Sequence, residues 1–184
     1  MNVSENLRMT VYSSLFAALI AVGAYIAIPI GPVPIVLQNM FVLMAALLLG
    51  TRWGSAALGL YLLMGACGFP VFAGGTGGLG RLLGPTGGYL LGYIPAVWVA
   101  GFICARTGKK LWGDVMAMLI GSLIVYASGV PWLKFATAMP WEKAFAVGMY
   151  PFLVGDALKI VAAAYCVKLL RPMLKNNKAN VGNG

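Results

Sequence analysis

The sequence predicts an all-α integral membrane protein with six transmembrane helices and both termini in the cytoplasm. Of its 184 residues, 61% are hydrophobic and only 9% are charged, with a mean hydropathy of +0.89. Soluble domains carry about 25% charged residues, so this chain has too few charges to cover a globule in water and its outer surface must face lipid. Long uncharged stretches and an uneven distribution of Lys and Arg give the number and orientation of the spans.

Charged residues are absent from four long stretches of the chain. The stretches are Met9–Thr51, Trp53–Gly80, Leu82–Ala105 and Val115–Leu133. A helix needs about 20 mostly apolar residues to cross the ~30 Å hydrocarbon core. The first stretch is long enough for two such helices, which the proline-rich segment 29–34 separates.

Six helices are therefore predicted within a single membrane domain that covers residues 1–184. Their expected positions are near 9–29, 36–50, 54–70, 87–105, 114–136 and 145–170. Helices are favoured over barrel strands because lipid-exposed backbone must satisfy its own hydrogen bonds and no segment alternates polar and apolar residues. The second and third helices are short, which leaves a re-entrant or strongly offset helix open at that point.

Basic residues are concentrated on the side that holds both termini. That side receives Arg8, Arg52, Arg106, Lys109, Lys110, Lys168, Arg171, Lys175 and Lys178. The opposite side receives Arg81, Lys134 and Lys143. The positive-inside rule makes the terminal side cytoplasmic, with a short basic tail over 171–184. Because this topology explains the net charge of +9, we expect no nucleic acid partner.

Two opposite charges stand inside the last predicted span, whereas the other carboxylates, Glu5, Asp114 and Glu142, fall at span edges or in loops. Asp156 and Lys159 are three residues apart, so their side chains share one helix face. Charges within the hydrocarbon are rare, costly and usually turned towards an interior cavity. A pair that serves only helix packing is the alternative, although apolar residues could replace such a pair at little cost. Together the two side chains offer an acceptor and a three-proton donor to a polar solute.

A glycine-rich segment over residues 74–88 separates the third and fourth predicted helices. Glycine is used where the chain takes a positive φ or approaches a ligand closely. The segment is either a flexible external connection or a structured loop over a pocket, and Pro85 favours structure. Arg81, its single charge, is either solvated or a partner for an anionic solute. The segment also contains the spacing G-x-G-x-x-G, but the strand, helix and acidic residue that a dinucleotide site requires are missing.

A stiff connection, GPVPIVLQ over residues 31–38, joins the first two predicted helices on the outer side. Its prolines restrict the backbone and remove hydrogen-bond donors. Val33 and Ile35 would give it an apolar surface, and Gln38 would add an amide that donates and accepts. The alternative is an ordinary rigid loop.

Few groups in the chain could catalyse a reaction or bind a metal. There is no His, and no nucleophile–base spacing or Walker A sequence is present. Cys67, Cys104 and Cys166 are odd in number and lie in apolar sequence, so we expect them to be small core residues. The sequence therefore predicts no enzyme activity, no metal site and no cofactor.

Three segments taken together resemble the BioY family, the biotin-binding S components of energy-coupling factor (ECF) transporters. The segments are GPVPIVLQ at 31–38, PVFAGGTGGLGRLLGPTGGYLLG at 70–92 and PFLVGDALK at 151–159. They occur in this order within residues 12–170, and the glycine-rich segment is the most specific. Val36 and Val154 stand where the family pattern leads us to expect Thr and Pro, and neither departure removes a charged group.

The resemblance implies an ECF S-component-like bundle of six transmembrane helices in the cell membrane of a prokaryote, with a biotin pocket open to the outside. It also implies that an ECF transmembrane subunit and two ATPase subunits supply the energy. The family's G-D-x-x-K motif, which helps to bind the biotin head group, maps onto Asp156 and Lys159. Its alanine motif, which meets the partner subunit, maps onto Ala17 and Ala21. Lesser polar candidates for the ligand are Gln38, Thr76, Arg81 and Tyr89. The loop residues expected to close over the ligand are Pro32, Val33, Pro34, Ile35, Gly75, Gly77 and Gly78.

Three other functions are weighed against biotin capture. An S component for another small vitamin would show the same charge distribution and span count. A purely structural subunit would not need Asp156 and Lys159 inside a span. An intramembrane enzyme would need acid, base or nucleophile groups that converge, and the sequence offers a single intramembrane carboxylate.

Overall fold

The computed structural model describes residues 3–29 and 31–180, with side chains described through residue 174. The predicted tail over 171–184 therefore lies partly outside the described residues. The helices and strands in chain order are α1 (Val3–Tyr25), β1 (Ala27–Ile28), β2 (Ile35–Val36), α2 (Gln38–Ala66), α3 (Leu79–Leu83), α4 (Gly87–Arg106), α5 (Leu111–Thr137), α6 (Trp141–Gly148) and α7 (Tyr150–Asn180). The prediction of a mostly helical chain is confirmed.

Four of the described helices are long and apolar enough to cross a membrane. They are α1, α2, α4 and α5. The short strands β1 and β2 pair antiparallel, Ala27 with Val36 and Ile28 with Ile35. They form a hairpin at the point where the proline-rich segment was predicted to break the first uncharged stretch.

α2 reverses direction at Gly50. This residue has φ 81° and ψ 176° inside the helix, a left-handed conformation that glycine adopts without a steric penalty. A Cβ atom added to Gly54 would lie 3.0 Å from the Cα atom of Ala46, although eight residues of straight helix span about 12 Å. The arms 38–49 and 51–66 therefore lie side by side, which accounts for the two short helices predicted near 36–50 and 54–70.

The sixth helix begins later than predicted. The prediction near 145–170 included residues that belong to α6. Met149, with φ −138° and ψ −56°, interrupts the helical conformation before α7 starts at Tyr150. Pro151 explains the new start, because proline lacks an N–H group and is tolerated in the first turn of a helix. Residues 145–148 are therefore part of a short separate helix.

The helices pack in a compact order around an apolar core. α4 lies between α2 and α5, α1 packs on α2, and α7 contacts α2 and α5. Ile20, Leu43, Val97 and Met118 are among the fully buried side chains in this core. Glycines permit close contacts, for example where a Cβ atom on Gly101 would lie 2.6 Å from the Oγ1 atom of Thr51.

An ion pair between the buried Asp114 and the partly buried Arg171 attaches α7 to the start of α5. The Nη2 atom of Arg171 donates to the Oδ1 atom of Asp114 over 2.8 Å, and its Nη1 atom donates to the carbonyl of Lys109. The thiol of Cys104 also donates to Asp114, over 3.3 Å. Asp114 is fully buried, so the carboxylate placed at a span edge by the sequence is shielded from solvent by the packing of three helices.

The three cysteines differ in their surroundings. Cys104 is buried and Cys166 is half-buried, whereas Cys67 is exposed. The expectation of a core position is confirmed for Cys104 and wrong for Cys67, which lies just beyond the end of α2 at Ala66.

We expect Arg171→Ala to destabilise the fold through Asp114. The substitution removes the countercharge of a buried carboxylate, and breaking a buried pair in this way costs about 3 kcal/mol. Thermal unfolding of the detergent-purified protein measures the loss. Lys168→Ala is the matched control, because Lys168 is an exposed cation on the same helix. Equal melting temperatures for the two variants would show that the Asp114–Arg171 pair does not hold α7 in place.

Candidate ligand-binding site

A cavity lies between the helices beneath the β1–β2 hairpin and the loop that contains α3. Its empty volume, counted with its open side, is about 710 Å³. The walls are mostly apolar and aromatic. The aromatic residues that line it are Phe72, Tyr89, Tyr93, Tyr126 and Phe152.

Asp156 and Lys159 form an ion pair in the wall of this cavity. The Nζ atom of Lys159 lies 3.0 Å from the Oδ1 atom of Asp156, and both side chains are about nine-tenths buried. Lys159 also donates to the carbonyl of Val36 over 2.7 Å, and the hydroxyl of Tyr126 donates to the Oδ2 atom of Asp156. The pair therefore joins α7 to α5 and to the hairpin.

Arg81 brings a second cation to the cavity. It lies in α3 and lines the cavity wall. Its Nε atom donates to the Oγ1 atom of Thr76 over 2.9 Å, and the Thr76 hydroxyl donates to the carbonyl of Ala73 over 3.0 Å. Thr76 itself does not line the cavity, so its contribution is to orient Arg81.

The loop that carries Arg81 is fixed to α5 by Trp132. The indole N–H of Trp132 donates to the carbonyl of Gly84 over 2.9 Å. A Cβ atom on Gly88 would lie 2.2 Å from the Cβ atom of Trp132, so only glycine permits this approach. The glycine-rich segment is therefore a structured loop, as one of the two interpretations of the sequence held.

Three polar groups in the cavity wall have no hydrogen-bond partner among the described residues. They are the Nε2 atom of Gln38, the Oδ1 atom of Asn39 and the Oγ atom of Ser122, and all three are buried. Buried polar groups are nearly always satisfied, and leaving one unpaired costs about 1–3 kcal/mol. A ligand that fills the cavity with donors and acceptors would satisfy them.

Tyr89 lines the cavity with its ring rather than with a free hydroxyl. Its hydroxyl donates to the carbonyl of Gly148 over 2.8 Å. A Cβ atom on Gly129 would lie 2.3 Å from the Cδ1 atom of Tyr89. The ring is therefore held between α5 and the end of α6, with its apolar surface available to the cavity.

The predicted loop residues divide into two groups. Val33 and Pro34 line the cavity, whereas Pro32 and Ile35 do not. The glycines of the second loop shape the backbone instead of lining the cavity: Gly75 and Gly78 have positive φ values of 71° and 92°. At the third of them, Gly77, a Cβ atom would lie 2.2 Å from the carbonyl oxygen of Phe69.

The two alanines of α1 lie away from the cavity and differ in exposure. Ala17 is 4% exposed and packs inside the chain, while Ala21 is half-buried. Both were predicted to meet the partner subunit, and the packing of α1 on α2 leaves Ala17 little exposed surface. Ser14 and Ala18 are exposed on the neighbouring face of α1.

Several cavity residues were not identified from the sequence. Tyr93, Ser122, Tyr126 and Asn39 all line the cavity. The sequence spacing could have indicated two of them: Ser122 and Tyr126 are four residues apart in an otherwise apolar helix and therefore share one face. The same spacing relates Tyr89 and Tyr93 in α4.

The chain is similar to proteins of known function over nearly its whole length. The BioY family model matches residues 1–176. A biotin transporter BioY of Thermotoga maritima is 41% identical over 167 residues, which cover 91% of this chain and 98% of the relative. A probable biotin transporter BioY of Pyrococcus horikoshii is 40% identical over 158 residues, which cover 86% and 93%.

The fold is also similar to that of a solved protein. A crystal structure of the S component for biotin from an ECF-type ABC transporter superposes with a TM-score of 0.88 at 31% identity. The superposition covers 94% of this chain and 95% of that protein.

Proposed function

Because the chain belongs to the BioY family, we propose that it captures biotin as the substrate-binding S component of an ECF-type transporter. It is a transport component and not an enzyme, like the relatives it matches. The observation that carries the proposal is the buried Asp156–Lys159 pair in the wall of an otherwise mostly apolar cavity.

The head of biotin matches the hydrogen-bonding groups around this pair. Its ureido ring has two N–H donors and one carbonyl acceptor. The ammonium of Lys159 has three donors, and Asp156 and Val36 accept two of them, so one is available to the ureido carbonyl. Asp156 accepts from Lys159 and Tyr126 and has further lone pairs for a ureido N–H.

The remaining polar groups of the cavity suit the rest of the molecule. Asn39, Gln38 and Ser122 offer unpaired donors and acceptors beside the head group. The thioether ring and the apolar tail fit the aromatic wall. Arg81, whose guanidinium donates to the uncharged Thr76 hydroxyl, is the cation that we assign to the biotin carboxylate.

We propose that the chain spans the cell membrane six times with both termini in the cytoplasm. The arms of α2 supply two of the spans, and α7 supplies the sixth beside α1, α4 and α5. The basic residues support this orientation, since Arg52, Arg106 and Lys110 lie at one end of the helices and Lys134 and Lys143 at the other.

The outer face of α1 is the surface that we assign to the ECF transmembrane subunit, to which two ATPase subunits would supply energy. Small side chains let two helices approach closely in a membrane. Ala18 and Ser14 are exposed on this face, and Ala21 is half-buried beside it. Ala17, also predicted for this contact, is buried and adds little area to this surface.

We expect Asp156→Asn and Lys159→Ala each to weaken biotin binding by about 10–100-fold. Hydrogen bonds to charged groups contribute about 1.5–3 kcal/mol, and ~1.4 kcal/mol is tenfold in affinity. Equilibrium binding of labelled biotin to detergent-purified protein measures the effect, and thermal unfolding checks the fold. Lys168→Ala is the control because it removes an exposed cation from the same helix. Near-native affinity in both site variants would contradict the assignment, and lost stability with retained affinity would identify a packing pair.

Cysteine labelling in intact cells tests the topology. The background carries Cys104→Ser, which keeps a donor to Asp114, with Cys67→Ala and Cys166→Ala. Lys143→Cys and Lys110→Cys are then introduced separately at exposed positions. A membrane-impermeant maleimide should label residue 143 in intact cells and residue 110 only after permeabilisation. The reverse pattern would show that the termini lie outside.

The partner surface is tested by placing a large side chain on it. Ala18→Trp should reduce co-purification with the ECF transmembrane subunit while biotin affinity stays native, since α1 does not line the cavity. Ala162→Trp is the control, because it adds the same bulk at an exposed position on α7. Unchanged assembly with Ala18→Trp and with Ala21→Trp would rule out this face.

A further inference from the structure

Four exposed aromatic side chains form a continuous row across the corner between α5 and α7. Their ring centroids are 6.4 Å apart between Phe135 and Trp141, 6.1 Å between Trp141 and Phe145, and 6.3 Å between Phe145 and Tyr150. We call this row the aromatic ladder. Phe135 is 73% and Tyr150 58% exposed, so rings that would normally be buried in a soluble protein are open here.

The helix that carries the middle of the ladder has three distinct faces. Ala144 and Gly148 are buried against the bundle, and Trp141 and Phe145 lie beside them on an exposed apolar face. The polar face follows on the other side, with Glu142 and Lys143 exposed. Such a division matches a helix that lies at a boundary, with lipid on one side and water on the other.

A cation accompanies the ladder. The Nζ atom of Lys134 lies 4.7 Å from the ring centroid of Phe135 and 5.2 Å from that of Trp141. Lys and aromatic side chains are enriched together at membrane–water interfaces, where the rings sit at headgroup level and the ammonium reaches lipid phosphates.

The ladder also marks the end of an apolar face on α7. Tyr150 is followed on the same face by Val154, Leu158 and Val161, which are 75%, 70% and 67% exposed. Residues at these spacings lie one above another on a helix. This apolar face can contact lipid acyl chains along its length. At its Tyr150 end, next to α6, the face meets the aromatic ladder.

We propose that α6 and the aromatic ladder bind the headgroup–acyl boundary of the bilayer on the side where the cavity lies. The partner is the lipid surface itself. α6 does not cross the membrane but lies in its interface, with Trp141 and Phe145 in lipid and Glu142 and Lys143 in water.

This contact reaches the cavity through the last residue of α6. Gly148 lines the cavity and accepts the hydrogen bond from the Tyr89 hydroxyl. Under this proposal the lipid boundary lies next to one wall of the cavity, at the end of α6 that holds the Tyr89 hydroxyl.

Fluorescence quenching in lipid vesicles measures the depth of Trp141. The protein is reconstituted with lipids that carry bromine either near the headgroup or near the chain ends. A variant that keeps Trp141 and replaces Trp53, Trp98, Trp112 and Trp132 by Phe should be quenched more strongly by the shallow bromines. The matched control keeps Trp98 alone, which is exposed near the middle of α4 and should be quenched more strongly by the deep bromines.

A second comparison avoids the loss of the Trp132 hydrogen bond in those variants. The otherwise native chain is compared with Trp141→Phe, and the difference in quenching belongs to Trp141. More shallow than deep quenching in this difference supports the proposal. Stronger deep quenching would place α6 in the hydrocarbon, as a face for a transmembrane partner helix would require. Absence of quenching by both lipids would place α6 in water. Either result overturns the proposal.

Discussion

The fold depends on satisfying two opposite charges inside a mostly apolar bundle. Removing an ion from water costs several kcal/mol even after the protein relaxes, so Asp156 and Lys159 must be surrounded by hydrogen-bonding partners. α5 supplies the Tyr126 hydroxyl, and the hairpin supplies the Val36 carbonyl. These partners can meet only if α1 ends before the hairpin, the hairpin folds back over the bundle and α5 packs against α7.

The sequence predicts those features that depend on neighbouring residues. The three-residue spacing of Asp156 and Lys159 fixes their shared face, and Arg52, between two uncharged stretches, separates the two short helices. Partners that are distant in sequence could not be predicted: Tyr126 is 30 residues from Asp156 and Val36 is 123 residues from Lys159. The burial of Ala17 could not be predicted for the same reason. It depends on which side of α1 packs against α2, and the spacing of the alanines does not determine that side.

Asp114 and Asp156 show how surroundings distinguish two buried carboxylates. Asp114 lies at the start of α5, where the Arg171 guanidinium and the Cys104 thiol both donate to its Oδ1 atom. Both of these hydrogen-bond donors belong to the chain itself, and Asp114 does not line the cavity. Asp156 faces a space whose wall also carries the unpaired groups of Gln38, Asn39 and Ser122. Asp114 has its countercharge within the chain and lies away from the cavity, although its Oδ2 atom has no partner among the described residues, whereas Asp156 borders a space that a ligand can occupy.

Capture and release require different states of the same cavity. A ligand shifts a conformational equilibrium only by the difference between its affinities for the two states, so biotin binding alone cannot drive both steps. The hairpin provides a direct connection from the cavity to α1: Lys159 donates to the carbonyl of Val36, and the next residue, Leu37, donates its N–H to the carbonyl of Gly23 over 3.0 Å. A movement of α1 relative to α7 would therefore act on the hydrogen bonds of Lys159, which is the group that we assign to the ureido carbonyl. The outer face of α1 is the surface assigned to the ECF transmembrane subunit. Force applied there would reach the bound head group along a short path, through the backbone hydrogen bonds of Leu37 and Val36.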